Sequence, residues 1–140
     1  MLSQEIGDLY KKLRLNSYLK LFGRIRERDG SLSATEAYAV DVIFLLGNPT
    51  VTQLAETLGI SQPNATYKVN NLVAKGYVVK TASEDDRREC RLQLSEKFFR
   101  YYEDATRFIQ DTVAALEKDH TPEELAIFER VLHTLTGEIP

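Results

Sequence analysis

A mainly α-helical fold with one small β-hairpin is predicted by three observations. Apolar residues recur at three- and four-residue spacing over most of the chain, capping signals separate these stretches into six segments, and a single short region between residues 77 and 94 switches to the two-residue alternation of strands. In chain order this reads as three helices, a fourth after a tight turn, a hairpin, and two further helices. A helix-turn-helix followed by a hairpin is the order of a winged helix-turn-helix lobe.

The first helix is expected from Ser3 to about Arg28, where Ile6, Leu9, Leu13, Leu15, Tyr18, Phe22 and Ile25 give an amphipathic repeat that Asp29-Gly30 ends. Ser33 and Glu36 form a capping box for the second, which carries Tyr38, Val42, Ile43 and Leu46 and closes near Gly47. After the Asn48-Pro49 turn, Thr50 and Gln53 repeat the box ahead of Leu54, Ala55 and Leu58. Gly59 suits the left-handed conformation that stops this short helix, Ile60 suits a core position, and Ser61 caps a fourth helix with Pro63 in its first turn. That helix is expected to bury Ala65, Val69, Leu72 and Val73 before Gly76.

Tyr77-Val78-Val79 and Leu92-Gln93-Leu94 read as the two strands, with the charged stretch from Ser83 to Arg88 between them. Ser95 then caps a long helix with Phe98, Tyr101 or Tyr102, Ala105, Ile109 and Leu116 near heptad spacing. Thr121, Pro122 and Glu124 open the last, whose apolar stripe is Leu125, Phe128, Leu132 and Leu135.

The 140 residues suit one domain, and 43% hydrophobic with 28% charged residues is ordinary globular composition. No apolar run has the length of a membrane span, and the first 22 residues lack signal-peptide features, so a cytoplasmic protein without a membrane partner is expected. The single Cys90 cannot form an intramolecular disulfide, in keeping with a reducing compartment. A net charge of −3 argues against a protein that merely coats nucleic acid, but the charge is uneven. Residues 61–80 hold Lys68, Lys75 and Lys80 and no acid, whereas residues 98–140 hold 9 acids. One segment can face phosphate and the other cannot.

The chemistry concentrates in the first turns of the fourth helix. Ser61, Gln62, Asn64, Thr66, Tyr67 and Lys68 carry hydrogen-bonding groups without an acid. Asparagine and glutamine pair bidentately with adenine, hydroxyls reach bases or phosphates, and lysine suits phosphate. An ordinary helical corner would need none of these. On the hairpin, Arg87 and Arg88 sit where the chain turns and suit a narrow minor groove, and Asp86 can fix an arginine's direction. Glu84, Asp85 and Glu89 dilute that charge, so alone the loop would read as solvated.

Catalysis has no foothold, since no phosphate-binding glycine loop, nucleophile elbow or paired-carboxylate motif is present, and no cofactor is called for. His120 and His133 belong to no metal-ligand cluster and suit the surface. Cys90 lies beside Arg88 and Arg91, which would favour its thiolate, yet a lone cysteine is more often an incidental small residue. The aromatic group Phe98, Phe99, Tyr101, Tyr102 and Phe108 reads as core or interface packing before it reads as a ligand cavity.

The run Asp86-Arg87-Arg88-Glu89-Cys90-Arg91-Leu92-Gln93-Leu94-Ser95-Glu96-Lys97, with Val51-Thr52-Gln53-Leu54-Ala55 and Leu72-Val73-Ala74-Lys75-Gly76-Tyr77-Val78 upstream, resembles the MarR (multiple antibiotic resistance regulator) family. The resemblance implies a homodimeric transcriptional regulator, with residues 1–30 and 98–140 as dimerisation helices and 31–97 as the winged helix-turn-helix DNA-binding lobe. It further implies a ligand-responsive repressor on a pseudo-palindromic double-stranded DNA operator, answering to a small-molecule effector. Asp86 would orient the wing, and Arg87 and Arg88 would enter the minor groove; Lys80, counted with the wing, is expected to act on DNA through its charge. The sequence departs from the family pattern at Phe98, where glycine commonly follows Glu-Lys, and at Cys90. The competing expectation is a winged-helix protein-interaction module without DNA binding, against which stand the acid-free stretch and the arginine wing.

Overall fold

The computed structural model describes residues 1–25, 31–82 and 90–140, with side chains throughout except at 21–25. Its elements are α1 (Leu2–Ile25), α2 (Ala34–Leu46), α3 (Val51–Leu58), α4 (Gln62–Ala74), β1 (Val78–Ala82), β2 (Cys90–Leu94), α5 (Glu96–Asp119) and α6 (Pro122–Glu138), in the predicted order. They form two compact units, Met1–Tyr102 and Glu103–Pro140. The expected end of the first helix at Asp29-Gly30 and the wing residues Asp86, Arg87 and Arg88 lie outside the described residues, as do the side chains of Phe22 and Ile25.

Local chemistry sets the element ends. Ser33 accepts the Glu36 N–H at 3.2 Å, while Thr50 and Gln53 exchange both capping bonds at 2.9 and 3.1 Å. Gly47 and Gly59 take left-handed φ values of 71° and 67°, and each donates its N–H back into the helix it ends. Between Gly59 and the Ser61 cap the chain reverses in two residues, which sets α4 against α3.

The core of the first unit gathers Leu32, Ala37, Ala39, Val40, Val42 and Ile43 around α2 with Leu54, Val69, Leu72, Val78, Leu92 and Phe98. Phe98 is 1% exposed and packs on Phe44 at 5.5 Å between ring centroids, so α5 is anchored by a side chain at its first turn. Two expected core positions, Val73 and Ile60, are not buried. Val73 is 38% exposed because it lies about 100° around the helix from Leu72. Ile60 is half-buried. Of the apolar residues marked on α2, Tyr38 and Leu46 face outward because the helix buries the face of Ala39, Val40 and Ile43 instead. The single stripe expected on α1 is absent too: Leu9, Tyr10, Leu13, Leu15, Tyr18 and Leu19 are spread around its circumference and all exposed.

The strands pair antiparallel with Val78 opposite Leu94, Lys80 opposite Leu92 and Ala82 opposite Cys90. Thr50 bridges Arg91, and the Leu92 N–H donates to the Pro49 carbonyl at 2.9 Å, so the hairpin leans on the start of α3. In the second unit Thr121 and Glu124 exchange capping bonds at 3.1 and 3.2 Å, and α6 buries no side chain. No helix among the described residues is long and apolar enough to cross a membrane.

Candidate nucleic-acid interface

Because α4 advances about 100° per residue, its side chains sort into three rows. Ala65, Val69 and Leu72 face the core. Gln62, Thr66 and Asn70 follow at four-residue spacing on one flank, Asn64, Lys68 and Asn71 occupy the other, and Tyr67, 67% exposed, stands on the crest between them. Of the polar residues named from the sequence, Asn64, Thr66 and Tyr67 thus fall on the outward side of the helix, Gln62 and Lys68 flank the core row, and Ser61 caps its start. No acid lies in the first turn, whose end-on N–H groups make it a mildly positive end.

The six are not equally available. Ser61 Oγ accepts the Asn64 N–H at 3.3 Å and serves as the helix cap. Thr66 donates its hydroxyl proton to the Gln62 carbonyl at 3.0 Å, so its hydroxyl has only acceptor capacity left for a further contact. Gln62 and Asn64 are exposed, and among the described residues their side-chain amides have no protein partner, so both can make a two-point contact with a base edge.

Lys80, assigned to the wing, donates from Nζ to Asn70 Oδ1 at 2.6 Å. It can do so because it shares the face of the hairpin that carries Val78 and Leu92 towards the helices. One ammonium proton is engaged in this bond; two remain for a phosphate. Asn70 was not singled out from the sequence, because only the strand register reveals its partner. Arg91 was missed for the same reason: its Nη1 donates to the Asn48 carbonyl at 3.2 Å and ties the hairpin to the turn before α3. Cys90 opens β2 as a free, exposed thiol.

A second knot of charge lies behind α4. Lys75 Nζ donates to the Ser31 carbonyl at 2.9 Å and to Glu36 Oε1 at 3.0 Å, and sits 2.8 Å from Oε2. Burial pushes the Glu36 carboxyl up, but hydrogen bonds from Lys75 and Ser33 and the lysine's charge outweigh it and hold the group below its usual value. Elsewhere, in the second unit, a hollow is lined by Leu116, His120, Glu124, Leu125 and Phe128, with His120 Nδ1 3.5 Å from Glu124 Oε2.

Residues 31–89 match the family model for the MarR family. The uncharacterized HTH-type transcriptional regulator YfiV of Bacillus subtilis (strain 168) is 34% identical over 145 residues, covering 96% of this chain and 88% of its own length. Among solved structures, Streptococcus pneumoniae FabT in complex with DNA is 26% identical with a TM-score of 0.57, covering 96% of this chain and 95% of that one. A mutant MarR from E. coli complexed with operator DNA is 21% identical with a TM-score of 0.55, covering 94% and 93%.

Proposed function

The chain belongs to the MarR family of transcriptional regulators, and we propose that it binds a pseudo-palindromic DNA operator as a homodimer and reads it with α4. The observation that carries this reading is the exposed surface of α4, where Gln62, Asn64 and Tyr67 are exposed with Thr66 and Lys68 beside them and no acid intervenes. A protein-interaction module has no need of an acid-free row of amides at a positive helix end. Two similar proteins, FabT and MarR, were crystallised on DNA, which supports the same use here.

In this reading Gln62 and Asn64 meet base edges, Lys68 and Lys80 meet phosphate, and Ser61 holds the helix start in place. Arg87 and Arg88, oriented by Asp86, are assigned to the minor groove on their sequence alone. Support for the homodimer comes from apolar side chains that one chain leaves in water: Leu19 is 64% exposed on α1, Val113 47% on α5 and Val131 51% on α6. Repression and release by a small-molecule effector follow the family resemblance.

The test is a gel shift with the DNA flanking the protein's own gene, against a scrambled duplex of equal length. Wild type should prefer the flanking DNA, and Asn64→Ala should lose part of that preference. Equal binding to both duplexes by wild type would overturn the reading.

A further inference from the structure

The start of α5 and the residue before it reach back to the carbonyls that follow α4, at its C-cap Lys75 and the two residues beyond. Lys97 Nζ donates to the Lys75 carbonyl at 2.8 Å, Ser95 Oγ donates to the Gly76 carbonyl at 2.5 Å, and the Ser95 N–H donates to the Tyr77 carbonyl at 3.0 Å. The Lys97 ammonium also lies 4.5 Å from the centre of the Tyr77 ring. Its stem passes beside Gly76, which takes a left-handed φ of 83° and where an added Cβ would lie in ordinary contact, 3.7 Å from Lys97 Cδ. A cation at the carbonyl end of a helix is favoured by the helix dipole as well as by the hydrogen bond.

From these contacts we infer that Lys97 is a positioning residue for DNA reading: it clamps the C-terminal end of α4 to the start of α5 and so fixes where the first turn of α4 points. This rests on the reading that α4 contacts bases. Two features give the clamp its leverage. The side-chain bonds that tie α4 to other elements lie in its C-terminal half or just beyond, at Asn70 and Lys75. Among the described residues, the side-chain hydrogen bonds of the first turn stay within the helix and its cap. The helix is therefore held by its core face, by the short turn from α3 at its start, and by these side-chain bonds at its far end. With 13 residues it is roughly 20 Å long, so a tilt of about 3° at the clamp carries the first turn through about 1 Å. Base contacts tolerate only about 0.5 Å of misplacement, whereas attraction to phosphate hardly notices it. The clamp thus acts on sequence preference and not on general affinity for DNA.

The experiment compares full-length wild type, Lys97→Met, Lys97→Arg and Asn64→Ala on the flanking-DNA duplex and the scrambled duplex across a salt series, with thermal melting of each protein. Lys97→Met should lose about tenfold on the flanking duplex, roughly the worth of one base contact. It should keep the wild-type affinity for the scrambled duplex and the wild-type salt slope. Lys97→Arg, which can donate to the same carbonyl and lie over the same ring, should restore the preference. An unchanged ratio of the two affinities in Lys97→Met overturns the inference, and so does a parallel loss on both duplexes with a flatter salt slope, which would make Lys97 a phosphate ligand. If Asn64→Ala lowers the ratio while Lys97→Met does not, the clamp alone fails; if Asn64→Ala leaves it unchanged, the reading by α4 fails. Should Lys97→Met not fold, Tyr77→Leu, which removes the ring and keeps the lysine, is held to the same two outcomes.

Discussion

Glu36 and Lys75 stand 39 residues apart in sequence, yet each is the other's closest ionic partner. The lysine side chain is 27% exposed and the glutamate 11%, so the pair falls between an exposed bridge and a fully buried one. Removing one partner should cost about 1–3 kcal/mol. Because folding holds the Glu36 carboxyl below its ordinary value of 4.5, its contribution is whole above that pH and fades as the pH falls through the lowered folded value. Urea titrations from pH 7 to pH 3 should show this loss in wild type and a smaller one in Glu36→Gln; identical slopes would remove the pair from the account. Thr66 gives a second case. Its hydroxyl proton is already bonded to the Gln62 carbonyl, so Thr66→Val should keep most of the operator affinity, whereas Gln62→Ala should lose about 1–3 kcal/mol of discrimination between operator and scrambled DNA. Both partners of Thr66 and Ser61 lie within four residues, and such bonds can be anticipated from sequence. The bonds Lys75 to Glu36, Lys80 to Asn70 and Lys97 to the Lys75 carbonyl cannot, because each depends on elements brought together only by the tertiary fold.

The turn between α3 and α4 shows what short-range chemistry does determine. Gly59 at φ 67° and the Ser61 cap are both encoded within three residues, and they were read correctly. A Cβ at Gly59 would meet nothing within 4 Å, so Gly59→Ala is penalised only by the left-handed backbone, about 1–2 kcal/mol. Chemical denaturation should show that loss, and Gly59→Asn should recover part of it; an alanine variant as stable as wild type would mean that the turn relaxes. Helix faces were harder to read. Periodicity marks which residues are apolar and not which neighbour covers them, so Val73 was given to a core that α4 builds from other positions, and it does not tell that Tyr38 and Leu46 of α2 face outward. On α1 the pattern was satisfied by several faces at once, since leucines and tyrosines occur around the whole helix.

Apolar side chains left in water on α1, α5 and α6 make a concentration-dependent fold the expected behaviour, because an obligate subunit interface commonly buries more than about 2,000 Å². Sedimentation at micromolar concentration should find dimers, and a folded, stable monomer there would contradict the proposed assembly. Two α4 helices related by a twofold axis should meet half-sites about 10 base pairs apart, so inserting five base pairs between them should abolish tight binding. Undiminished affinity for the lengthened operator would mean that the lobes do not act as a pair. The lone thiol at the start of β2 makes that geometry measurable in solution. Cys90 is exposed and is the chain's single cysteine, so a nitroxide attached there labels each protomer once, and Cys90→Ser serves as the silent control. In the proposed dimer the two spins would form a ruler from one hairpin to the other. Operator binding should draw a broad distribution of spin-spin distances into one narrow peak, and a distribution unmoved by DNA would show wings already set to the spacing of the groove.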